Sequence, residues 1–146
     1  MSDTVEDFLT PGQEQEVIEA IIEAEKQTSG EIRVHIEKTS IGDVNERAHD
    51  VFHTLKMDET ELQNGVLIYV AVQDRSFVIC GDKGIDKVVP SNFWNKTRTA
   101  IETQFKNGDF KEGIVAGILM AGEQLKHFFP FTNNDKNELD NEISKG

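Results

Sequence analysis

The sequence predicts a single α/β domain, an α/β/α sandwich in which a small mixed sheet of three to four strands is flanked by about four helices. Residues 31–37 alternate polar and apolar side chains, which is typical of a strand. Residues 66–72 form a continuous apolar run, which is typical of a strand covered on both faces. The neighbouring segments repeat their apolar residues at helical spacing, so the predicted order is helix, strand, helix, strand, strand, helix, helix.

The first helix is predicted to begin at a capping box. Thr10 supplies the N-cap, Pro11 takes the first helical position and Gln13 closes the box, while Gly30 ends the segment. Its apolar stripe consists of Val17, Ile18, Ile21 and Ile22. In the alternation at 31–37 the apolar residues share one side, so we expect a strand with one buried face and one polar face.

A second helix and a hairpin follow. Asp43 and Glu46 form another capping box, and the apolar residues between positions 44 and 55 recur at helical spacing. Because 66–72 is apolar throughout, helices must cover both faces of the sheet. A short polar break separates this run from 77–80, so the two pair most simply as an antiparallel hairpin.

Two more helices are expected before the chain becomes polar. Ser91 is the predicted cap of one, and Asp109 with Glu112 is the predicted capping box of the other, which ends at Phe129 and Pro130. The polar residues beyond Pro130 offer too little apolar surface to offset ordering entropy. The predicted organisation is an N-terminal extension (1–9), an α/β domain (10–131) and a disordered acidic tail (132–146).

Composition narrows the classes of partner. The formal net charge of −12 at pH 7 opposes binding to nucleic acid or to an anionic membrane surface, because counterion release requires clustered cations. The lone Cys80 can form no internal disulfide, and the first ten residues lack the basic and apolar segments of a secretory signal. No apolar run approaches the roughly 20 residues that span a bilayer. We therefore expect a monomeric, cytoplasmic protein.

Hard oxygen ligands gather at one predicted end of the sheet. If the first two strands are parallel and the third runs back, then Glu31, Asn64 and Asp82 share that end. Asp58 and Asp86 lie in the adjoining loops. Carboxylate, amide and backbone oxygens are the ligands that Ca²⁺ and Mg²⁺ prefer, so these five residues form a candidate metal site. Turn chemistry and helix capping are the alternative explanation of the same residues.

Four segments in order resemble the TPM domain family, named for its thylakoid-lumen, photosystem-repair and acetylcholine-receptor-modulator members. They are SGEIRVHIE, LKMDETELQNGVLIYVAVQDRSFVICGDKGI, FW and FKEGIVAGILMAGEQLKHFFP, and the resemblance covers about residues 8–131. The family's motif positions correspond to Glu31, Asn64, Gly65, Asp74, Gly81, Asp82 and Gly84. The resemblance implies an α/β sandwich, binding of divalent cations (Ca²⁺ in particular), acid phosphatase activity in some members and maintenance of membrane protein complexes in others.

Two functions from different classes therefore remain open. One is a domain that binds divalent cations and has weak, metal-dependent phosphatase activity. The other is a non-enzymatic module that binds a protein partner or maintains a complex, with a purely structural cation. Either function uses Ca²⁺ or Mg²⁺ as its cofactor.

Motifs for other chemistry are weak. Asp86 stands six residues after Cys80, where the loop of cysteine phosphatases requires Arg, so Cys80 is predicted to be a core residue and not a nucleophile. His49 and His53 are spaced as in a zinc protease motif, but they lie well away from the apolar stripe of their helix and should face solvent. No role is predicted for His35.

Overall fold

A four-stranded mixed sheet organises the protein, whose computed structural model describes residues 8–131 and 141–146. The strands are β1 (Glu31–Glu37), β2 (Gly65–Ala71), β3 (Ser76–Gly81) and β4 (Ser144–Lys145), in the spatial order β3-β2-β1-β4. The helices are α1 (Pro11–Glu25), α2 (Val44–Thr54), the one-turn α3 (Lys83–Asp86), α4 (Asn95–Lys106) and α5 (Phe110–Leu125), with a 3-10 turn at Met57–Glu59. The predicted α/β fold with a small mixed sheet is confirmed.

Strand register brings the predicted site positions to one end of the sheet. β1 and β2 are parallel, with Glu31 opposite Gly65. β3 returns antiparallel to β2, with Gly81 opposite Val66. The start of β1, the start of β2 and the end of β3 therefore lie together, and we call this the carboxylate end of the sheet. The opposite end, where β2 turns into β3, is the hairpin end.

One face of the sheet packs against α1, α4 and α5. Its core contains fully buried aliphatic side chains from each layer, namely Ile21, Ile32, Val34, Ile68, Ile101, Ile114 and Ile118. Burial of each such side chain stabilises the fold by roughly 1.5–3 kcal/mol. This face of β1 carries the apolar half of the alternation, as the sequence predicts.

The second face differs from the prediction. Helix α2 covers β2 and β3 there through Ala48, Val51 and Phe52. The polar residues of β1 lie on this face, yet Glu31, His35 and Glu37 are buried. The prediction of helices on both faces is confirmed, but the prediction that β1 buries only one face was wrong, because Glu31, His35 and Glu37 are buried on the other face and His35 pairs there with Glu37.

Helix caps agree with the sequence in part. Thr10 and Gln13 form the predicted capping box, and the Asp43 side chain accepts from the amide of Glu46. The predicted cap at Ser91 was wrong, since α4 begins after Trp94. Asp109 takes the predicted N-cap position of α5, but its side chain makes no capping hydrogen bond, so the predicted capping box with Glu112 is absent. Asp109 has φ −93° and ψ 69°, which differs from the extended conformation that an N-cap usually takes.

The chain termini are more ordered than predicted where they are described. Leu9 is buried and belongs to the core, so the ordered domain extends into the predicted N-terminal extension. Ser144 and Lys145 form β4, which pairs in parallel with His35 and Ile36 of β1. The prediction of a disordered tail was therefore wrong for these last residues, because β1 offered an open edge. Residues 132–140, which make up most of that tail, and residues 1–7 lie outside the described part of the chain.

Within the described residues, no helix is long and apolar enough to cross a membrane.

Candidate functional site

Backbone hydrogen bonds hold the carboxylate end together. The amide of Glu31 donates to the carbonyl oxygen of Asn64 at 3.3 Å, and the amide of Asp82 donates to the carbonyl oxygen of Gly65 at 3.0 Å. Three positions predicted from topology therefore lie side by side across β1, β2 and β3. Their side chains are also buried, with exposed fractions of 3% for Glu31, 2% for Asn64 and 6% for Asp82.

Asp82 is the carboxylate with the most unusual surroundings. It is the N-cap of α3, and its Oδ1 accepts from the amide of Lys83 at 2.8 Å. Its Oδ2 is buried and has no hydrogen-bond partner among the described residues. A buried carboxylate oxygen without a partner costs free energy, roughly 1–3 kcal/mol or more for a charged group. This oxygen is the strongest indication of a ligand at this end of the sheet.

Gly84 fixes the position of Asp82. Its amide donates to the carbonyl oxygen of Gln63 at 2.9 Å, so α3 packs directly on the turn that leads into β2. A Cβ atom at position 84 would lie 2.3 Å from the carbonyl oxygen of Leu62. Only glycine permits this approach of two backbones, which sets Asp82 beside the start of β2.

Glu25 is a further carboxyl group at this end that sequence reasoning missed. Its Oε2 accepts from the amide of Ile32 at 2.9 Å. Burial raises the pKa of Glu25 to about 7, the hydrogen bond from Ile32 opposes this change, and the nearby charge of Glu31 adds to it. No pattern in the sequence distinguishes Glu25 from the other acidic residues of α1. Its partial burial comes with its contact to Ile32 at the start of β1, which helical spacing does not reveal.

Asp58 and Asp86 do not join the buried carboxylates. Asp58 Oδ2 lies 2.9 Å from Nδ1 of His53, and this hydrogen bond, together with the charges of His53 and Lys83, lowers the pKa of Asp58. Asp86 is exposed at the end of α3. No group of three or more His, Cys, Asp or Glu side chains arranged to hold a metal ion occurs in the described parts of the chain. Of the five positions predicted as ligands, Glu31, Asn64 and Asp82 are therefore buried together at this end of the sheet, whereas Asp58 and Asp86 are exposed.

Cys80 packs as predicted in the core between α2 and the sheet. Burial raises the pKa of its thiol to about 11, and the charges of Asp86 and Asp82 add to this change. His49 is exposed, as predicted, and its Nδ1 lies 3.8 Å from the Cys80 sulfur. A thiol with so high a pKa is protonated at neutral pH and is a poor nucleophile.

A second polar cluster, centred on Glu37, was not predicted. The Glu37 carboxylate accepts from Nε and Nη2 of Arg47 at 2.8 and 2.9 Å, lies 2.9 Å from Nε2 of His35, and also accepts from the Tyr69 hydroxyl. Burial alone would raise the pKa of Glu37, but the hydrogen bonds from Arg47, Tyr69 and His35 outweigh it and lower the pKa to about 2. The cluster therefore holds an ionised carboxylate and ties α2 to β1 and β2.

His35 extends this cluster to the C-terminal strand. Burial lowers its pKa, so the ring is neutral at pH 7. Because the ionised Glu37 can only accept, Nε2 of His35 carries the proton, and Nδ1 accepts from the Ser144 hydroxyl at 2.9 Å. The only sequence signal was that Arg33, His35 and Glu37 share one side of β1, which also fits a solvent-facing strand.

Comparison with known proteins identifies the family. The TPM domain family model matches residues 3–124. The NMR structure of BA42 protein from the psychrophilic bacterium Bizionia argentinensis is 59% identical in sequence with a TM-score of 0.93, and the match covers 99% of this chain and 100% of that one. None of the curated proteins compared matches the chain.

More distant structures share only the fold. The N-terminal domain of a protein from P. gingivalis has 19% identity and a TM-score of 0.66, with 84% of this chain and 80% of that chain covered. The N-terminal domain of the cg2496 protein from Corynebacterium glutamicum has 11% identity and a TM-score of 0.66, with coverages of 98% and 83%. With the family model matching most of its length, this chain belongs to the TPM domain family.

Proposed function

We propose that this TPM domain binds a divalent cation, Ca²⁺ or Mg²⁺, at the carboxylate end of the sheet. The observation that carries the proposal is the buried Oδ2 of Asp82, which lacks a hydrogen-bond partner among the described residues. A bound cation would compensate the desolvation of this oxygen. The cation binding implied by the family resemblance points to the same residues.

The donor set fits a hard cation. Asp82 and Glu31 offer carboxylate oxygens and Asn64 offers an amide oxygen, all of which suit Ca²⁺ or Mg²⁺ better than a soft metal. Three protein side chains leave coordination positions for water and backbone carbonyls. Since affinity rises with the number of charged ligands, a site with two carboxylates should bind weakly and respond to changes in cation concentration.

Cation binding should also involve Glu25. The pKa of Glu25 is about 7, in part because of the neighbouring charge of Glu31. A cation beside Glu31 would offset that charge and lower the pKa of Glu25, so binding near pH 7 would release a proton. The site therefore couples cation binding to pH through a carboxyl group that need not touch the metal.

Metal-dependent hydrolysis of phosphomonoesters is the second candidate function. Lys83 is exposed and directly follows Asp82, so its ammonium group could receive a phosphate beside a bound cation. The cation would supply the electrostatic stabilisation of the phosphoryl group when bound. The high pKa of Cys80 argues against a thiolate nucleophile, so any turnover should survive Cys80→Ser.

The alternative is a non-enzymatic module that contacts a protein partner. In that case the cation would only order the loop before β2 and the turn at α3, and Lys83→Gln would leave cation binding unchanged. Turnover of a generic phosphomonoester that is absent in chelator and absent in Asp82→Asn would favour the enzyme. Cation binding without any turnover would favour the module.

A titration followed by ¹⁵N NMR tests the cation site. Adding CaCl₂ or MgCl₂ should shift the amides of residues 30–32, 63–65 and 81–84 in a saturable manner. Asp82→Asn keeps the shape of the side chain and should weaken binding at least ten-fold, whereas Asp86→Asn, at an exposed position of the same helix, should change it little. Saturable shifts confined to His53 and Asp58, or equal affinity of both variants, would contradict the proposal.

A further inference from the structure

A cavity of about 560 Å³ opens at the hairpin end of the sheet, opposite the carboxylate end. Aromatic and aliphatic side chains form most of its wall, including Val70, Phe77, Phe105 and Phe110. Phe105 packs edge-to-face against Phe77 and Phe110, with ring centroids 5.5 and 5.4 Å apart. The volume falls within the roughly 300–1,000 Å³ that is usual for small-molecule sites.

Positive charge surrounds this apolar cavity. Arg75, Arg98 and Lys106 line it together with a single acidic residue, Glu102, so the rim has a net charge of about +2. Within the described residues, no ion pair joins Arg75 or Lys106 to another side chain, and the guanidinium of Arg98 donates to Asn95 Oδ1 at 3.1 Å. In a protein with a net charge of −12, such a rim is an isolated region that attracts anions.

The loop that carries Arg75 is held in place. Asp74 accepts from the backbone amide of Ser40 at 2.9 Å and from the Thr39 hydroxyl at 2.9 and 3.0 Å. Arg75 itself has φ 52°, a left-handed conformation that residues other than Gly and Asn rarely adopt. A left-handed residue is common in the turn of a β-hairpin, and here it fixes the course of the backbone between β2 and β3. The anchored turn places Arg75 among the residues that line the cavity.

We propose that this cavity, named here the hairpin pocket, binds a small amphipathic anion. The ligand would have an alkyl or aryl body that fills the phenylalanine-lined wall and a carboxylate or phosphate head group that reaches Arg75, Arg98 and Lys106. The pocket is lined by none of the residues assigned to the cation, so it is a separate site and does not depend on the proposed cation function.

Octanoate is a suitable probe, with 1-octanol and octylammonium as neutral and cationic controls of equal chain length. In a ¹⁵N NMR titration of the full chain, octanoate should shift the amides of residues 75–77, 98 and 105–110 in a saturable manner. 1-Octanol should bind more weakly at the same residues, and octylammonium more weakly still. Octyl phosphate distinguishes the two head groups, because a dianion should bind more tightly than octanoate if the rim favours phosphate.

Paired variants separate charge recognition from damage to the fold. Arg98→Gln/Lys106→Gln removes two exposed cations of the rim and should weaken octanoate binding at least five-fold while leaving 1-octanol unchanged. Glu102→Gln removes the opposing carboxylate and should tighten octanoate binding about two- to three-fold, which a misfolded protein could not do. Lys87→Gln/Lys96→Gln makes the same charge change at exposed positions outside the pocket and should have no effect.

Three outcomes would overturn the proposal. Equal affinity for octanoate and octylammonium would show that the rim does not select anions. Shifts that fail to saturate, or that spread over the whole protein, would show non-specific contact only. Weakening by the Lys87/Lys96 control as large as that by the Arg98/Lys106 variant would show that net charge, and not the hairpin pocket, governs binding.

Discussion

Oε1 of Glu37 lies 2.9 Å from Nε2 of His35, and both side chains are buried between β1 and the elements that cover it. A carboxylate and an imidazole two residues apart on a strand point the same way, so the sheet places them in contact without any turn or loop. Arg47 from α2 then supplies the charge that keeps Glu37 ionised. With Tyr69 of β2 also donating to Glu37, residues of β1, α2 and β2 together stabilise the buried carboxylate. The stability of the fold should therefore depend on this charge.

Replacing Glu37 with Gln should lower the free energy of unfolding at pH 7 by about 3 kcal/mol. The pKa of Glu37 is about 2 in the folded state, against 4.5 for an ordinary carboxyl group, and each unit corresponds to about 1.4 kcal/mol. Because this pKa is lowered, the stabilisation is complete above pH 4.5 and is lost as the pH falls towards 2. Urea unfolding of wild type and variant at pH 7 and pH 2.5 measures the difference.

Asp50→Asn, which neutralises an exposed carboxylate of α2, is the matched control for Glu37→Gln. It should change stability by less than about 0.5 kcal/mol at either pH. A loss in Glu37→Gln that stays constant from pH 7 to pH 2.5 would contradict the assignment, because it would reflect shape and not charge.

Ser144→Ala should lower the free energy of unfolding by about 1 kcal/mol, the usual contribution of one hydrogen bond. The Ser144 hydroxyl donates to Nδ1 of the neutral His35, so its removal leaves a buried acceptor without that donor. Ser91→Ala, at an exposed position, is the control. NMR of the His35 ring should show a changed Nδ1 environment in Ser144→Ala alone, and an unchanged ring would mean that β4 does not dock in solution.

The architecture was predictable because its signals are local. The alternation at 31–37, the apolar run at 66–72 and the helical stripes around them each specify an element without knowledge of its neighbours. The convergence of Glu31, Asn64 and Asp82 followed from strand direction alone. Asp58 and Asp86 were assigned to the same site because their loops adjoin this end of the sheet, but both residues are exposed.

The polar cluster and the hairpin pocket could not be predicted in the same way. Arg47 of α2 and Tyr69 of β2 bond Glu37, and Ser144 of β4 bonds its partner His35. No local sequence pattern records such pairing between elements. The hairpin pocket likewise combines Arg75 from a turn with Phe105 from α4. Features that depend on packing between distant segments require the three-dimensional structure.

Glu25→Gln should stabilise the protein above neutral pH. The pKa of Glu25 is raised from 4.5 to about 7 in the folded protein. Between these two pH values Glu25 is ionised in the unfolded chain but still protonated in the folded protein, so the free energy of unfolding falls as the pH rises. Gln cannot ionise and avoids this loss, which should make the variant more stable by about 3 kcal/mol at pH 8 and nearly equal to wild type at pH 4.5. Glu19→Gln on the exposed side of α1 is the control. A variant less stable than wild type at pH 8 would show that Glu25 is bound as the anion.

Gly84→Ala should destabilise the protein by about 2 kcal/mol, because its Cβ would lie 2.3 Å from the carbonyl oxygen of Leu62 and neither backbone can move without breaking the Gly84–Gln63 hydrogen bond. Gly12→Ala is the opposite case. The nearest heavy atom to a Cβ at position 12 is 3.9 Å away and the residue lies in α1, so this change should be neutral or stabilising by about 0.5–1 kcal/mol. Urea unfolding compares the two, and a ¹⁵N spectrum of Gly84→Ala should show shifts concentrated at residues 62–65 and 82–85. Equal stability of the two variants would mean that α3 is not packed on the turn before β2, and Asp82 would then not be held beside the start of that strand.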